Sequence, residues 1–430
     1  MPHRSLTQIW DSIADRGREI LARRRGALAV QGIDSLCRDL LSERGEASGT
    51  ALAREIVRTY EAMDDVGRLE FFTLLDQRFS PGVEAVLQAA DAYRSVQGPD
   101  SLLALIRAVE PPRQELIRRI NMAPRGTAAI VAMRKDLLRF LPHHPELRAV
   151  DADFQHLLHS WFNRGFLVLE RIDWHTPAAI LERLFEYEAV HEIQGWDDMR
   201  RRLAEDRRCF AFFHPALPGE PVIFVEVALL DGLATAIQPL LDADSPPQDA
   251  GGATTAVFYS INNCQDGLRG ISFGYFLIKQ VVDYLLAGHP HLKTFATLSP
   301  VLGFRAWLES LGAGALAEHR LDRLSEPDWH RDEAFSESLR EPLLKLCARY
   351  LIKEKKDGEP RDPVARFHLG NGARIEQINW LADTSENGMK RAAGMMVNYV
   401  YRPKQIEKNH EAYVGRGAVA ASARVRALAK

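Results

Sequence analysis

Cysteines are scarce in this sequence, and they do not form a recognisable framework. Cys37, Cys209, Cys264 and Cys347 lie far apart, with no C-x-x-C pair and no histidine at zinc-ligand spacing. A disulfide framework and a structural zinc site are therefore disfavoured, and reduced, mostly buried cysteines are expected.

The sequence also lacks long hydrophobic runs. None approaches the roughly 18–20 residues that span a bilayer, and the N-terminus has no uninterrupted apolar core of a secretory signal. Asp11, Asp15 and Glu19 argue against a mitochondrial transit peptide, and the chain does not end in Ser-Lys-Leu. These absences predict a cytoplasmic protein without a membrane partner.

Neither sign of charge is in excess. Lys and Arg number 55 against 58 Asp and Glu, which gives a net charge of -3. Nucleic-acid binders usually carry a basic excess, so no nucleic-acid partner is expected. The 430 residues exceed what one hydrophobic core usually supports, and 46% hydrophobic with 26% charged residues is typical of a globular protein. Two domains are expected.

Residues 1–164 are predicted to form a helical domain. Apolar residues recur there at spacings of three and four, as at Leu52, Ile56, Tyr60 and Met63. Proline-containing breaks punctuate the pattern at Ser80-Pro81, Gly98-Pro99, Pro111-Pro112 and Pro124.

Residues 165–430 are predicted to form a mixed α/β domain, so that the whole chain is α+β. Strand patterns cover 209–213, 222–229, 255–260 and 293–297, and the turn-rich segment between the first two indicates an antiparallel hairpin. Helices are expected over residues 177–187 and 272–286. Phe166-Leu167-Val168-Leu169 marks the first strand of this domain.

A glycine-containing turn precedes the predicted helix 272–286. In Gly267-Leu268-Arg269-Gly270-Ile271-Ser272-Phe273-Gly274, glycines allow close approach of the backbone to a phosphate, and a helix N-terminus attracts anions. The motif is neither G-x-G-x-x-G nor a Walker loop, and a plain strand-to-helix turn is the structural alternative.

Two other segments carry residues capable of catalysis. Ser299 follows an apolar strand and precedes Pro300, and its structural alternative is an N-cap for the segment 304–311. His368 precedes a Gly-Asn-Gly turn and is suited to proton transfer near neutral pH, although a hydrogen-bonded structural histidine is the alternative. Further along, Asn379, Asp383 and Tyr401 stand among aromatic and amide residues that indicate a sheet face or pocket.

These segments, in this order, resemble the malonyl-CoA decarboxylase family. The similarity runs from about Leu167 to Tyr401 through the stretches LVLERIDWHTP, EYEAVHEIQGWDDMRRRL, HPALPGEPVIFVEVAL, VFYSI, GLRGISFG, FATLSPVLGF, DPVARFHLGNGA and INWLAD, followed by GMMVNY. Each stretch is modestly specific, and their ordered series makes accidental similarity improbable.

The resemblance implies a helical N-terminal domain that assembles a homo-oligomer, dimer or tetramer, and a catalytic domain with the acetyltransferase (GNAT) fold. It implies Ser299 and His368 as the active-site pair, with Ser260 and Tyr401 lining the same pocket. The turn that would contact the pyrophosphate region of CoA comprises Arg269, Gly270, Ile271, Ser272, Phe273, Gly274 and Tyr275. At Ser272 the chain departs from a carboxylate found in a relative.

The implied reaction is decarboxylation of malonyl-CoA to acetyl-CoA and CO₂, without a metal or organic cofactor because the thioester carbonyl is the electron sink. The hypothesis is that His368 hydrogen-bonds Ser299, that the pair orients the malonyl carboxylate, and that His368 then protonates C2. Asn379 or backbone N–H groups would hold the thioester oxygen. An acyl-CoA-dependent N-acyltransferase and a non-catalytic acyl-CoA-binding protein remain open alternatives, and a serine hydrolase is disfavoured because Ser299 lacks a G-x-S-x-G motif.

Overall fold

A computed structural model describes residues 32–42, 45–271, 277–312, 321–326 and 328–430. The chain divides into two compact units. The helical unit comprises the described residues up to Leu167 together with two short segments, His214–Pro218 and residues 265–271. The sheet unit comprises the other described residues. The predicted domain boundary between residues 164 and 165 stays a prediction.

The helical unit contains eight α-helices within its described residues, as the apolar spacing predicts. They are α1 (Ile33–Ser42), α2 (Glu46–Glu61), α3 (Asp65–Arg78), α4 (Val83–Ser95), α5 (Pro99–Val109), α6 (Pro112–Ile120), α7 (Gly126–Phe140) and α8 (Arg148–Trp161). Each proline-containing break marks a helix boundary: Pro81 and Pro124 lie between helices, while Pro99 and Pro112 are the first residues of α5 and α6. The predicted helical residues before 32 lie outside the described residues.

Aromatic packing holds the centre of the helical unit. Tyr60 of α2 makes edge contacts with Phe71 and Phe72 of α3, at ring-centroid distances of 5.3 and 6.0 Å. Phe72 also meets Phe154 of α8 at 6.4 Å. Such edge-to-face pairs add stability beyond the burial of their area. Helices α4 and α5 differ from the rest, because neither contains a buried residue.

The sheet unit is built on an eight-stranded sheet. Its order is β1-β2-β3-β4-β5-β10-β6, with β9 also paired to β10, and within it β4 and β5 are parallel while the other pairs are antiparallel. The strands are β1 (Val168–Ile172), β2 (Arg207–Phe213), β3 (Pro221–Leu230), β4 (Thr255–Asn263), β5 (Thr294–Thr297), β6 (Ser299–Pro300), β9 (Arg374–Asn379) and β10 (Met396–Tyr401). A short separate hairpin pairs β7 (Lys355–Lys356) with β8 (Glu359–Pro360).

Helices connect these strands. They are α9 (Ala178–Tyr187), α10 (Trp196–Arg202), α11 (Gln238–Leu241), α12 (Leu277–Gly288), α13 (Phe304–Ser310), α14 (Glu333–Ile352), α15 (Pro363–Gly370), α16 (Glu386–Ala392), α17 (Ile406–Arg416) and α18 (Ala423–Leu428). The central strands are buried along nearly their whole length, which requires cover on both faces. The expected α+β architecture and the antiparallel β2–β3 hairpin are confirmed. The first predicted strand starts two residues later than expected, at Val168.

Two other expectations can be compared with this fold. The four cysteines are free and buried, as expected. No helix among the described residues is both long and apolar enough to cross a membrane.

Candidate active site

Ser299 lies at the point where the chain stops pairing with β4 and begins to pair with β10. Strand β5 runs parallel to β4, and the Leu298 backbone N–H still donates to the Phe258 carbonyl at 2.9 Å. Directly afterwards, Ser299 and Pro300 form β6, which pairs with β10. The predicted alternative, an N-cap for the following helix, is wrong: α13 begins at Phe304, and the residue at its cap is Gly303 with φ +80°. Ser299 is instead buried in the sheet unit.

His368 lies in the last turn of α15 and is almost completely buried. The helix begins with Pro363, and the Asp362 side chain accepts a hydrogen bond from the Ala365 N–H at 2.8 Å, a normal N-cap contact. Asp362 is itself fully buried, and burial raises the pKa of its carboxyl to about 7. A capped, proline-led helix therefore holds His368 in place.

The two nitrogens of the His368 ring each have a hydrogen-bond partner. Nε2 lies 3.1 Å from Ser299 Oγ, and Nδ1 lies 2.8 Å from the Tyr401 hydroxyl. The structure thus brings together three residues that are 69 and 33 positions apart along the chain. All three are buried, with exposed fractions of 7% or less.

Thr297 and Tyr399 extend this group, and sequence reasoning missed both. Ser299 Oγ donates to Thr297 Oγ1 at 2.9 Å, and the Tyr399 backbone N–H donates to the same oxygen at 3.3 Å. The Tyr399 ring stacks on the His368 ring with centroids 4.5 Å apart. Each missed residue stands two positions before a predicted one, and residues at i and i+2 of a strand face the same side.

Burial removes charge from the group. Desolvation lowers the pKa of His368 to about 3, so that the imidazole is neutral at physiological pH. The same cause raises the pKa of the Tyr401 phenol well above its ordinary value, so that this hydroxyl keeps its proton. The described contacts therefore form an uncharged chain of hydrogen bonds from Tyr401 through His368 and Ser299 to Thr297.

Asn379 belongs to a neighbouring amide network. Its Nδ2 donates to Asn398 Oδ1 at 2.8 Å, and its Oδ1 accepts from Gln377 Nε2 at 2.5 Å. Asn398 in turn donates to the carbonyls of Ala234 and Thr297. The amide is therefore next to the strand that carries Thr297, and its contact with a thioester oxygen stays a prediction.

Ser260 lies in a different hydrogen-bonding cluster from the one around His368. Its Oγ donates to Glu188 Oε2 at 2.7 Å, and Asn262 Nδ2 donates both to that oxygen and to Ser260 Oγ. The prediction that Ser260 lines the same pocket as Ser299 stays a prediction.

The glycine-containing turn belongs to the helical unit. Arg134 of α7, which is 1% exposed, donates to the carbonyls of Gly267 and Arg269 at 2.7 and 2.8 Å. A Cβ at Gly267 would lie 1.9 Å from the Val131 carbonyl oxygen, so a side chain there would clash. Gly270 has φ +80°, and the Arg269 side chain is largely exposed. Ser272, Phe273, Gly274 and Tyr275 lie outside the described residues.

The comparisons with known proteins agree with one another. The family model described as the malonyl-CoA decarboxylase C-terminal domain matches residues 165–430, and its N-terminal counterpart matches residues 79–162. A mitochondrial malonyl-CoA decarboxylase of Mus musculus is 33% identical over 96% of this chain and 93% of its own length.

Solved structures give the same result. The crystal structure of malonyl-CoA decarboxylase from Rhodopseudomonas palustris has a TM-score of 0.88 and 51% identity, covering 92% of this chain and 98% of its own. The corresponding structure from Agrobacterium vitis has a TM-score of 0.87 and 51% identity, with coverages of 93% and 99%.

Proposed function

This chain belongs to the malonyl-CoA decarboxylase family and decarboxylates malonyl-CoA to acetyl-CoA and CO₂, and we propose that His368 delivers the proton to C2 while Ser299 positions the malonyl carboxylate. The observation that carries this proposal is the 3.1 Å contact between Ser299 Oγ and His368 Nε2, with Tyr401 at the other ring nitrogen.

The hydrogen-bond directions follow from the single hydrogen of the Ser299 hydroxyl, which is donated to Thr297 Oγ1. Ser299 Oγ therefore accepts from His368 Nε2–H, and the unprotonated Nδ1 accepts from the Tyr401 hydroxyl. In the free protein the chain of donors thus runs in one direction, from Tyr401 to Thr297.

The reaction needs one proton from the protein. Breaking the bond between C2 and the carboxylate releases CO₂ and leaves its electron pair on the thioester as an enolate, and C2 must then be protonated. An anionic malonyl carboxylate beside His368 favours the imidazolium form. His368 therefore takes up a proton from the solvent at Nδ1 as substrate binds, while the Tyr401 hydroxyl turns to accept from it. After CO₂ leaves, the imidazolium gives its Nε2 proton to C2.

The test of the reaction uses the full-length protein and malonyl-CoA without an amine. Equal amounts of CO₂ and acetyl-CoA are expected. An N-acyltransferase would need an acceptor amine, a hydrolase would release free CoA, and an acyl-CoA-binding protein would bind without turnover. Any of these three results would replace the assignment. No metal or organic cofactor is needed in this scheme, and addition of a chelator is expected to leave turnover unchanged.

The second part of the proposal concerns CoA. The turn from Arg269 to Tyr275 contacts the pyrophosphate region, with Arg269 supplying charge and Gly270 allowing close approach of the backbone. Support comes from the exposure of the Arg269 side chain while its carbonyl is held by buried Arg134. Arg269→Ala is expected to raise KM for malonyl-CoA with little change in kcat, because a uniform binding contact is lost.

The third part concerns assembly. Helices α4 and α5 pack on each other but bury none of their side chains. Seven large apolar residues of these helices and of their connection are between 41% and 71% exposed, namely Val83, Leu87, Val96, Leu102, Leu103, Ile106 and Val109. An exposed apolar surface of this kind commonly marks an interface, and in homo-oligomers the same surface usually meets its own copy. We assign this hairpin to the subunit interface of a cytoplasmic dimer or tetramer.

Sedimentation velocity tests the interface. Leu87→Glu with Ile106→Glu is expected to reduce the oligomer to smaller species. Val414→Glu, at a position in the sheet unit that is 62% exposed, is the matched control and is expected to leave the sedimentation coefficient unchanged. An unchanged oligomer in the double variant would exclude the hairpin.

A further inference from the structure

The stretch of chain from β10 into α17 contacts His368 and the turn that follows it at several points. Strand β10 contributes the Tyr399 ring, which stacks on the imidazole, and the Tyr401 hydroxyl, which lies 2.8 Å from Nδ1. The chain then continues into α17, whose first turns lie against the end of α15. One continuous stretch, 399–410, therefore holds both the imidazole ring and the backbone that carries it.

Helix α15 ends in a tight, buried turn at residues 370–372. The His368 carbonyl accepts from the Ala373 N–H at 3.0 Å, so this turn is bonded directly to the backbone of the histidine. Gly372 has φ +79°, and a Cβ there would clash with the Ile406 carbonyl oxygen of α17. Glycine is therefore needed at this position both for the backbone conformation and for the close approach of α17.

Two carbonyl groups of this turn receive hydrogen bonds from side chains of α17. His410 Nδ1 lies 2.7 Å from the Gly370 oxygen, and Asn409 Nδ2 donates to the Gly372 oxygen at 3.1 Å. Because a carbonyl oxygen only accepts, His410 carries a hydrogen on Nδ1. The last carbonyls of a helix have no partner within the helix, and a buried carbonyl without a partner is costly. The two side chains of α17 supply those partners directly after His368.

Little apolar burial holds α17 against its neighbours. Tyr413 is the only buried residue of this helix, all of which the structure describes. A cavity of about 430 Å³ lies between α17 and α12, and its lining includes Tyr401, Asn371 and His410. Because α17 is not packed tightly on this side, the hydrogen bonds from Asn409 and His410 contribute much of what fixes α17 against the turn.

We propose that His410 is a positioning residue for the decarboxylation: its hydrogen bond to the Gly370 carbonyl fixes the end of α15 and so the place of the His368 ring relative to C2 of the substrate. Asn409 acts in the same way through Gly372. The inference rests on the proposed role of His368 as proton donor. A displacement of about 1 Å at a reacting group can reduce the rate roughly 10²-fold, so a hydrogen bond that holds the backbone of the donor affects turnover.

Steady-state kinetics of the full-length protein with malonyl-CoA test the role of His410, with kcat expressed per folded chain as judged by circular dichroism. His410→Leu removes the donor and keeps most of the volume, and it is expected to reduce kcat about tenfold while KM changes less than about twofold. In His410→Asn the amide nitrogen takes the place of Nδ1, so kcat is expected to return to within about threefold of the unmodified chain.

The double variant of His368→Ala with His410→Leu separates positioning from a general effect on the fold. If His410 acts only through His368, its loss has no further consequence once the imidazole is gone, and the double variant should turn over as slowly as His368→Ala alone. A further decrease of about tenfold would show that His410 acts independently of His368, which overturns the inference. Glu411→Gln, at an exposed position of α17, is the matched control and is expected to keep both constants unchanged.

The inference also fails if His410→Leu keeps the kcat of the unmodified chain, or if His410→Asn is as slow as His410→Leu. Unaltered turnover in His368→Ala would instead contradict the proposed proton donor, so the two failures are distinguishable. If His410→Leu does not fold, Asn409→Ala at a half-buried position decides the question. Its kcat is expected to fall about threefold, because its hydrogen bond is longer and lies further from His368, and an unchanged kcat would overturn the inference.

Discussion

Two buried polar clusters of the sheet unit satisfy their hydrogen bonds in different ways. Around His368 the groups are neutral, and each ring nitrogen has one partner. Around Arg202 the groups are ionic, and one guanidinium serves several carboxylates. Desolvation acts on both, because it lowers the pKa of His368 to about 3 and raises the pKa of Glu226 to about 8. In each case burial removes a charge.

The two clusters should respond differently when a charge is added or removed. The hydrogen-bonded group around His368 contains no charged side chain among its described contacts. An anionic substrate is therefore expected to favour protonation of the His368 ring. The ionic cluster already contains a positive charge, the guanidinium of Arg202. Removal of this guanidinium leaves several buried carboxylates without a counter-charge. We therefore expect variants of the first cluster to change turnover and variants of the second to change stability.

His368→Ala should have the largest effect on the first cluster. Loss of a positioned proton donor typically reduces the rate by roughly 10²–10⁴-fold, and kcat for CO₂ release should fall by that factor. Binding of acetyl-CoA should remain. Val414→Ala is the control, because this residue of the sheet unit is 62% exposed. Nearly unaltered turnover in His368→Ala would show that the proton comes from another group.

Arg202→Met should have the largest effect on the second cluster. Removal of one partner from a buried ion pair typically costs about 3–5 kcal/mol, because the remaining charges stay buried. The free energy of unfolding from urea titrations should decrease by this amount. Arg200→Met on the same helix is the control, since Arg200 is exposed and contacts the Trp174 ring. Equal losses in both variants would contradict the distinction between the clusters.

Ser299→Ala should act on turnover with an intermediate effect. A hydrogen bond to a charged group contributes about 1.5–3 kcal/mol, so kcat should decrease roughly 10–150-fold. The free energy of unfolding should also fall by about 1–3 kcal/mol, because the buried Nε2–H of His368 loses its acceptor. Ser310→Ala on the surface of α13 is the control. A variant that loses stability and keeps its turnover would assign Ser299 a structural role only.

Much of the fold follows from local sequence. The spacing of Leu52, Ile56 and Tyr60 predicts the buried face of α2, and these residues are buried. Prolines predict the helix boundaries because their effect on the backbone is local. The strand that contains Ser299 was harder to predict, since its pairing with β10 depends on residues that lie about one hundred positions away.

The candidate site could be predicted only in part. Ser299 and His368 came from the family resemblance, and local sequence favoured an N-cap for Ser299, which was wrong because Gly303 stands at that cap. Thr297 and Tyr399 contact these residues through tertiary packing that no local pattern records.

Tyr401→Phe should have the smallest effect and should separate the two clusters most clearly. The loss of one neutral hydrogen bond, about 0.5–1.5 kcal/mol, predicts a kcat reduced roughly 2–10-fold at neutral pH.

The pH profile of this variant gives the sharper result. In the substrate complex the phenol oxygen accepts from the protonated Nδ1, so its removal destabilises the imidazolium and lowers the pKa of His368 there. Because the acid form is the active one, kcat decreases as pH rises through that pKa, and in Tyr401→Phe the decrease should begin at lower pH. A profile that is only scaled, without a shift, would mean that Tyr401 positions the ring without stabilising its charge. This substitution should leave the contribution of the Arg202 cluster to the free energy of unfolding unchanged.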